Sequence, residues 1–321
     1  MTYREAIGAA LFDEMAADTS VVLLGEDVAT DGGVFKTNAG LVEAFGAGRV
    51  RNTPISENGF VGVALGMAVM GLRPVVEIMF SDFLPTAGDQ IVNQLAKYRF
   101  MTGGQARVPV TIRSIGGATG RFGTQHSATG EGWFLGLPGL RLATAGSAAA
   151  AYAVLRAAIR EDNPVIAFEH KGLLARRGLV ERGAVAEVGR AAVARAGADL
   201  TIVATLMMVE RSIEAATVLA GEGIDAEVID LRWLNPLDWP TVLDSIGRTR
   251  RLLVVEEEPH AGGWGSLVIS RAAREGLRLA RPPRVISLPD DIPVPYSPPL
   301  EDAILPTAAS IAAAARELVD R

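Results

Sequence analysis

Short runs of β-branched and other apolar residues recur along the chain, and segments with a helical period lie between several of them. The runs that predict buried strands are Val21–Leu24, Pro74–Ile78, Val108–Ile112, Pro164–Phe168, Thr201–Thr205, Ala226–Leu231, Arg251–Val255 and Arg284–Leu288. Strands that alternate with helices form parallel sheets that are covered on both faces. The pattern therefore predicts an α/β fold with mainly parallel sheets.

Three segments predict helices. One begins at Ser147, which suits the N-cap position, and keeps its apolar residues on one face as far as Ile159. A second contains Val209 and stops before Gly221. The longest apolar stretch, Val61–Leu72, is too short and too rich in glycine for a membrane span, which needs about 20 residues. It predicts a buried helix in a tightly packed interface.

The alternation of predicted strands and helices stops between about Gly178 and Asp199, where alanine, glycine and arginine dominate. A new βαβ pattern starts at Thr201. We therefore expect two domains, residues 1–185 and 198–321. The segment 282–299 is dense in proline, so it is expected to be irregular apart from one short strand.

Composition narrows the classes of function. Of 321 residues, 49% are hydrophobic and 21% charged, which is typical of a folded chain. A net charge of -6 argues against nucleic-acid binding. The sequence has no cysteine, which excludes disulfides, thiolate catalysis and cysteine-bound zinc. No secretory signal is visible, so we expect a cytoplasmic protein without a membrane segment. The positive mean hydropathy indicates surface hidden against partner chains.

Familiar catalytic motifs do not fit. The glycine-rich segments 116–123 and 262–265 match neither the dinucleotide fingerprint nor the P-loop. No serine lies in a nucleophile elbow, and the chain has only three histidines, in distant segments. These absences favour chemistry supplied by a bound cofactor.

Glu57 is a carboxylate between a turn and a very apolar helix. One interpretation is an acid that complements the dipole at a helix N-terminus. The other is a carboxyl group that apolar surroundings keep protonated, so that it shares a proton with a ligand nitrogen.

Three further side chains follow predicted strands. Phe80 and Phe83 come directly after one strand, where they either pack in the core or stack on a flat heterocycle. His126 ends the glycine-rich loop after another strand, and its residue type and place favour neither a structural nor a functional role.

An ordered set of motifs then shows a resemblance. The motifs are Gly25–Val28, Gly32–Phe35, Thr53–Glu57, Arg73–Phe83, Asp89–Ile91, Lys97–Arg99, Thr111–Ser114, Gln125–Ser127, Pro138–Leu140, Asp162–Pro164, Ala226–Leu231 and Pro236–Asp238. Together they resemble the beta subunit of the thiamine-diphosphate-dependent decarboxylating component of pyruvate, branched-chain 2-oxo acid and acetoin dehydrogenase complexes. That family implies a pyrimidine-binding, transketolase-like domain followed by a transketolase C-terminal-type domain.

The resemblance implies how thiamine diphosphate is held. Glu57 is expected to hydrogen-bond a ring nitrogen of the aminopyrimidine, and Phe83 to stack against that ring. Glu26 and the turn Ile55–Glu57, which includes Ser56, match other positions that line the cofactor. Met79 departs from the glutamine common at its position, so a polar contact is lost there.

The resemblance also implies a substrate site. His126 matches the histidine that holds the substrate carboxylate and assists acyl transfer to the lipoyl group, and Phe80 and Phe83 are expected beside it. A structural monovalent cation, K⁺, is expected near a set of carbonyl and carboxylate groups. The residues of that set are Val108, Val110, Ala158, Glu161 and Asn163.

One absence indicates a partner. The chain has no Gly-Asp-Gly motif, which in thiamine enzymes holds Mg²⁺ beside the diphosphate. The family implies that an alpha subunit supplies this motif in an alpha2beta2 heterotetramer, and that a lipoyl acyltransferase core receives the acyl group. The expected substrate is pyruvate or a branched-chain 2-oxo acid.

Alternatives stay open. The segment Glu169–Lys171, the pair Met79–Phe80 and the tail 297–306 favour an acetoin dehydrogenase beta subunit. A transketolase-like module kept only for binding is less favoured, because it would not need to keep Glu57 and His126. A thiamine enzyme made of one chain conflicts with the missing magnesium motif. We interpret His170 as structural and His260 as a loop or partner-contact residue.

Overall fold

The computed structural model describes residues 1–319 and contains two β-sheets in this part of the chain. The strands are β1 Val21–Gly25, β2 Val50–Asn52, β3 Arg73–Ile78, β4 Thr111–Gly116, β5 Arg141–Thr144, β6 Val165–His170, β7 Ala192–Arg195, β8 Leu200–Ala204, β9 Ala226–Asp230, β10 Trp233–Asn235, β11 Leu252–Pro259 and β12 Arg284–Leu288. The first sheet has the order β10-β5-β6-β4-β3-β1-β2, and the second has the order β12-β11-β8-β9-β7. Among these strands, only the pairs β10–β5 and β7–β9 are antiparallel.

Helices cover both sheets. They are α1 Tyr3–Ala17, α2 Leu41–Phe45, α3 Glu57–Val69, α4 Ala96–Met101, α5 Ala148–Arg160, α6 Leu206–Ala220, α7 Trp239–Thr249, α8 Gly265–Arg274, α9 Pro298–Ile304 and α10 Ala308–Val319. The predicted α/β fold with mainly parallel sheets is confirmed. The predicted N-cap is also confirmed, because the Ser147 hydroxyl oxygen accepts a hydrogen bond of 3.1 Å from the amide of Ala150 at the start of α5.

The prediction of a strand at Val108–Ile112 is wrong in its start. Strand β4 begins at Thr111, because Pro109 has no amide hydrogen to donate to a neighbouring strand. Four strands were not predicted, namely β2, β5, β7 and β10. Each has only three or four residues, too few to show a period of two.

The two sheets share their hydrophobic interior. Both large clusters of buried apolar side chains draw residues from the first and the second sheet. Strand β10 follows the second sheet's β9 in the chain but pairs with β5 of the first sheet. Between Leu179 and Ala191 the chain forms neither helix nor strand. The domain limits 185 and 198 stay a prediction.

Helix α3 is apolar on every side but is only partly covered by this chain. Phe60, Val61 and Ala64 are buried, whereas Val63 is 57% exposed. Met70, directly after the helix, is 84% exposed. Within residues 1–319, no helix has the length and hydropathy needed to cross a membrane.

Candidate active site

The candidate site lies at one edge of the first sheet. Strands β2, β1, β3, β4 and β6 are neighbours and run parallel, so their carboxyl ends meet at this edge. Gly25 at the end of β1 is in register with Asn52 of β2 and Glu77 of β3. Ligands of open α/β sheets bind outside the carboxyl ends of the strands. Most of the predicted site residues follow these ends.

Two carboxylates lie close together at this edge. Glu57 is the first residue of α3 and is half-buried, and Glu26 directly follows β1. Burial and the neighbouring charge of Glu57 raise the pKa of Glu26. Glu26 Oε1 is buried without a hydrogen-bond partner, and within residues 1–319 the Glu57 carboxylate makes no hydrogen bond. Both groups are therefore free to bind a ligand.

The turn before Glu57 is exposed to solvent in the single chain. Ile55 is 85% exposed, and Ser56 is also exposed. Helix α3 packs against the 3-10 segment Ser81–Ala87, which carries Phe83. The fold therefore packs the helix that begins at Glu57 against the residues that follow β3.

An aromatic cluster forms the next part of the site. The ring of Phe80 lies 5.6 Å from that of Phe83 and 4.6 Å from the imidazole of His126. Phe83 lies 5.4 Å from His126. Phe80 is 7% exposed, whereas Phe83 and His126 are half-buried and offer ring surface to a ligand. These three predicted residues are thus brought together.

Met79 is half-buried and, like Phe83, packs against the hydrophobic core. It therefore adds an apolar wall to the site and no hydrogen-bonding group. A pair of unpartnered carboxylates and a cluster of half-buried aromatic rings follow neighbouring strands at this edge, and such a set fits a flat heteroaromatic ring that carries a basic nitrogen.

The predicted cation site lies at the opposite end of the strands. Residues Val108 and Val110 directly precede β4, and Glu161 follows α5. Glu161 Oε1 already accepts hydrogen bonds from the main-chain and side-chain nitrogens of Asn163, at 3.2 and 2.6 Å. The carbonyl of Ala158 accepts one from a threonine hydroxyl. The groups are neighbours, and several are occupied by protein donors.

The other two histidines lie outside the aromatic cluster. His170 is 1% exposed, and its Nε2 lies 3.2 Å from a carboxylate oxygen of Glu257 in β11. Its Nδ1 accepts a hydrogen bond from the amide of Gly172, so Nε2 carries the proton and donates to Glu257. His260 is exposed at the end of β11. Residues 1–319 hold no group of three or more histidine, aspartate or glutamate side chains that could bind a metal.

Comparison with known proteins agrees with this geometry. Residues 1–177 match the pyrimidine binding domain of transketolase, and residues 189–311 match the transketolase C-terminal domain. The chain is 41% identical, over 99% of its own length and 97% of the relative's, to the beta subunit of the acetoin:2,6-dichlorophenolindophenol oxidoreductase of Cupriavidus necator. It is 39% identical to the pyruvate dehydrogenase E1 component subunit beta of Rhizobium meliloti, over 97% of this chain and 68% of that one.

The chain belongs to this family of thiamine-diphosphate-dependent dehydrogenase beta subunits. A solved structure described as a split gene transketolase, inactive beta4 tetramer, is also similar, with a TM-score of 0.82. The match covers 100% of this beta subunit and 99% of that chain at 24% identity, so it supports the fold alone.

Two charged residues of this beta subunit lie at the site without having been assigned a role from the sequence. Lys171 directly follows β6 and reaches the carbonyl of His126, and Asp82 lies beside Phe83. Both are charged residues that follow the carboxyl end of a buried strand within a few positions. That position in the sequence could have marked them as candidate site residues.

Proposed function

We propose that the chain is the beta subunit of a 2-oxo acid dehydrogenase that decarboxylates pyruvate or a branched-chain 2-oxo acid and transfers the acyl group to lipoamide. The pair of unpartnered carboxylates at Glu57 and Glu26, at the same sheet edge as the aromatic cluster, carries this proposal. Family membership adds that the bound ring belongs to thiamine diphosphate. When bound, this cofactor supplies a carbon nucleophile for the keto group and accepts the electrons left by decarboxylation.

Glu57 would hold a proton between its carboxyl group and the ring nitrogen of the aminopyrimidine. Glu26, whose own pKa is raised by burial and by the neighbouring charge of Glu57, would line the cofactor beside it. Phe83 would offer its face to the ring, and Met79 its apolar side chain. Ile55 and Ser56 would line the side that is open in the single chain.

His126 would bind the substrate carboxylate and later assist acyl transfer. Its ring nitrogens make no hydrogen bond to the protein within residues 1–319, so they are available to a substrate. Phe80 would support the ring from one side and, with Phe83, exclude water from the acyl group.

The other half of the site would come from an alpha subunit with a Gly-Asp-Gly motif, which holds Mg²⁺ and the diphosphate in an alpha2beta2 assembly. The exposed Ile55 and the uncovered apolar face of α3 support such a contact. A lipoyl acyltransferase core would receive the acyl group. We further propose that K⁺ binds near Val108, Val110, Ala158, Glu161 and Asn163. A cytoplasmic location is also part of the proposal.

A beta subunit of acetoin dehydrogenase is the second candidate. The relative from Cupriavidus necator and another from Bacillus subtilis, 38% identical, both carry the acetoin oxidoreductase name. Assays of the reconstituted alpha–beta pair with pyruvate, 3-methyl-2-oxobutanoate and acetoin, using an artificial electron acceptor, separate the two. Turnover of acetoin alone would contradict the 2-oxo acid assignment.

The substitution Glu57→Gln tests the chemistry directly. We expect turnover by the reconstituted pair to fall by about 100- to 10,000-fold, the usual contribution of a group that transfers protons. Glu43→Gln is the matched control, since Glu43 is an exposed acid on α2. A Glu57→Gln variant with full turnover would support a module kept only for binding and would refute the proposed function.

A further inference from the structure

Lys171 is a buried cation in contact with the turn that carries His126. It is 7% exposed and is the first residue after β6. Its ammonium group donates a hydrogen bond to the main-chain carbonyl of His126. The same group lies 4.8 Å from the ring centre of Phe122 and 5.4 Å from that of Phe80, above their faces.

The turn is held at several other points, but none of them reaches the His126 carbonyl. The hydroxyl of Ser127 donates to the carbonyl of Gly123 at 2.7 Å. The amide of Ala128 donates to the carboxylate of Asp82 at 3.2 Å. Within the described part of the chain, Lys171 is the only side chain that hydrogen-bonds the main chain of His126 itself.

We propose that Lys171 is a positioning residue: its ammonium group, seated over the faces of Phe80 and Phe122, holds the carbonyl of His126 and so fixes the direction of the His126 ring. This inference rests on the proposed role of His126 in substrate binding and acyl transfer. Without the ammonium group the turn keeps its other hydrogen bonds, including the one from the His126 amide to the carbonyl of Gly123, but the His126 carbonyl loses its partner and the ring is held less firmly. A displacement of about 1 Å at a reacting group costs up to about 100-fold in rate.

The charge on Lys171 depends on its surroundings. Burial lowers its pKa to about 8, against the opposing attraction of Asp82, Glu257 and Glu301. Glu257 is paired with His170, and Glu301 with Arg121. Asp82 is the acid on the other side of the His126 turn, and the neighbouring His126 also faces it. The contact with the His126 carbonyl therefore holds at neutral pH and weakens above about pH 8.

The chain is well suited to a spectroscopic test, because it contains only three histidines and three lysines. We would label the full chain with ¹³C at histidine Cε1 and assign His126 with His126→Gln. Lys171→Met keeps the aliphatic stem and removes the charge, and Lys171→Arg keeps a charged donor. Lys97→Met is the matched control, since Lys97 is exposed and its ammonium group hydrogen-bonds only Asn93 among the described residues.

We expect the His126 signal to move towards the position of a free histidine in Lys171→Met at pH 7, with exposed His260 as the internal reference. The wild-type signal should move in the same direction as the pH rises through about 8. In Lys171→Arg that transition should shift to higher pH, because arginine stays charged. A His126 signal in Lys171→Met identical to those of the wild type and Lys97→Met would overturn the proposal.

Turnover by the reconstituted pair separates this inference from the proposed function. We expect Lys171→Met to lower kcat by about tenfold or more and to lose the alkaline limb near pH 8. If the wild-type pair turns over no substrate, the proposed function fails, while the His126 signal still decides whether Lys171 positions the turn. A displaced His126 signal with wild-type kcat would overturn the link to catalysis.

Discussion

Single residues at the site hold charge where burial opposes it. Lys171 holds its ammonium group over two aromatic rings, and Glu26 shares its surroundings with Glu57. Neither arrangement is favourable for folding, since a buried ion loses its hydration. Groups that a protein keeps in such positions are typical of functional sites. The free energy of unfolding of variants at these positions therefore measures how much the buried charge costs.

We predict that Lys171→Met raises the free energy of unfolding at pH 7 by about 1–3 kcal/mol, because it removes a buried charge. The ordinary lysine pKa of 10.5 falls to about 8 in the folded chain. The wild type is therefore least stable relative to the variant below pH 8. The difference in the free energy of unfolding shrinks as the pH rises towards 10.5. Urea titrations at several pH values measure the difference, and a gap that widens above pH 8 would contradict this account.

The elements of the first sheet are joined by a buried ion network. Arg113 of β4 is fully buried and pairs with Glu77 of β3 at 2.7 Å and with Glu169 of β6 at 2.8 Å. Glu77 also accepts a hydrogen bond of 2.9 Å from Asn38. Burial lowers the pKa of Arg113, but the two acids outweigh burial and raise the pKa overall. Since these strands support the residues at the site, the network helps to fix its geometry.

We predict that Arg113→Met lowers the free energy of unfolding by about 3–5 kcal/mol, because two buried carboxylates then lose their common partner. Burial raises the pKa of Glu169 and Arg113 opposes that rise, so without the guanidinium the loss should shrink as the pH falls and Glu169 binds a proton. Arg107→Met, which changes an arginine whose side chain is 70% exposed, is the control. Equal destabilisation by both variants, or a loss that does not depend on pH, would refute the role of the network.

The elements themselves could largely be predicted from the sequence. Strand β3 is a mostly apolar run, and helices α5 and α6 show a helical period over enough residues; Ser147 marks the start of α5 and Gly221 the end of α6. The buried Arg113 could not be predicted, because a charge within an apolar strand gives no sign of which side chains neutralise it. The start of β4 was misjudged, since Pro109 fits the apolar pattern while it cannot donate a hydrogen bond.

At the scale of the whole molecule, the fold leaves apolar surface uncovered. Met70 after α3 is 84% exposed, and Phe100 on α4 is 90% exposed. Helix α3 packs against the segment Gln90–Leu95, which continues into α4, so the two helices lie on one side of the molecule. Surfaces of this kind mark contacts with other chains. They agree with a subunit that works in an assembly.

We predict that Phe100→Glu and Met70→Glu leave the chain folded but prevent its assembly with the alpha subunit, because each places a charge in an apolar contact. Leu179→Glu is the control, since Leu179 is 96% exposed outside this face. Sedimentation of the mixed subunits measures the assembly. Normal assembly of both variants would show that the face of α3 and α4 is not the contact.

Family motifs gave the positions of Glu57, Phe83 and His126 from the sequence, and the fold gathers the aromatic residues and His126 at one sheet edge. Contacts across the molecule could not be read in this way. Glu257 of the second sheet contacts His170, which precedes Lys171, although the two residues are 87 positions apart in the sequence. Only the packing of the two sheets shows that Lys171 is buried there.

The position of the cofactor in the assembled complex tests the central claim most directly. The measurement is the distance from the Glu57 carboxylate to the nearest pyrimidine nitrogen of thiamine diphosphate, in a crystal structure of this chain with its alpha subunit. We predict a hydrogen bond of about 2.6–3.2 Å, with the ring against Phe83 and the diphosphate held by the other subunit. A cofactor bound elsewhere, or a Glu57 that faces solvent with no ring beside it, would contradict the account.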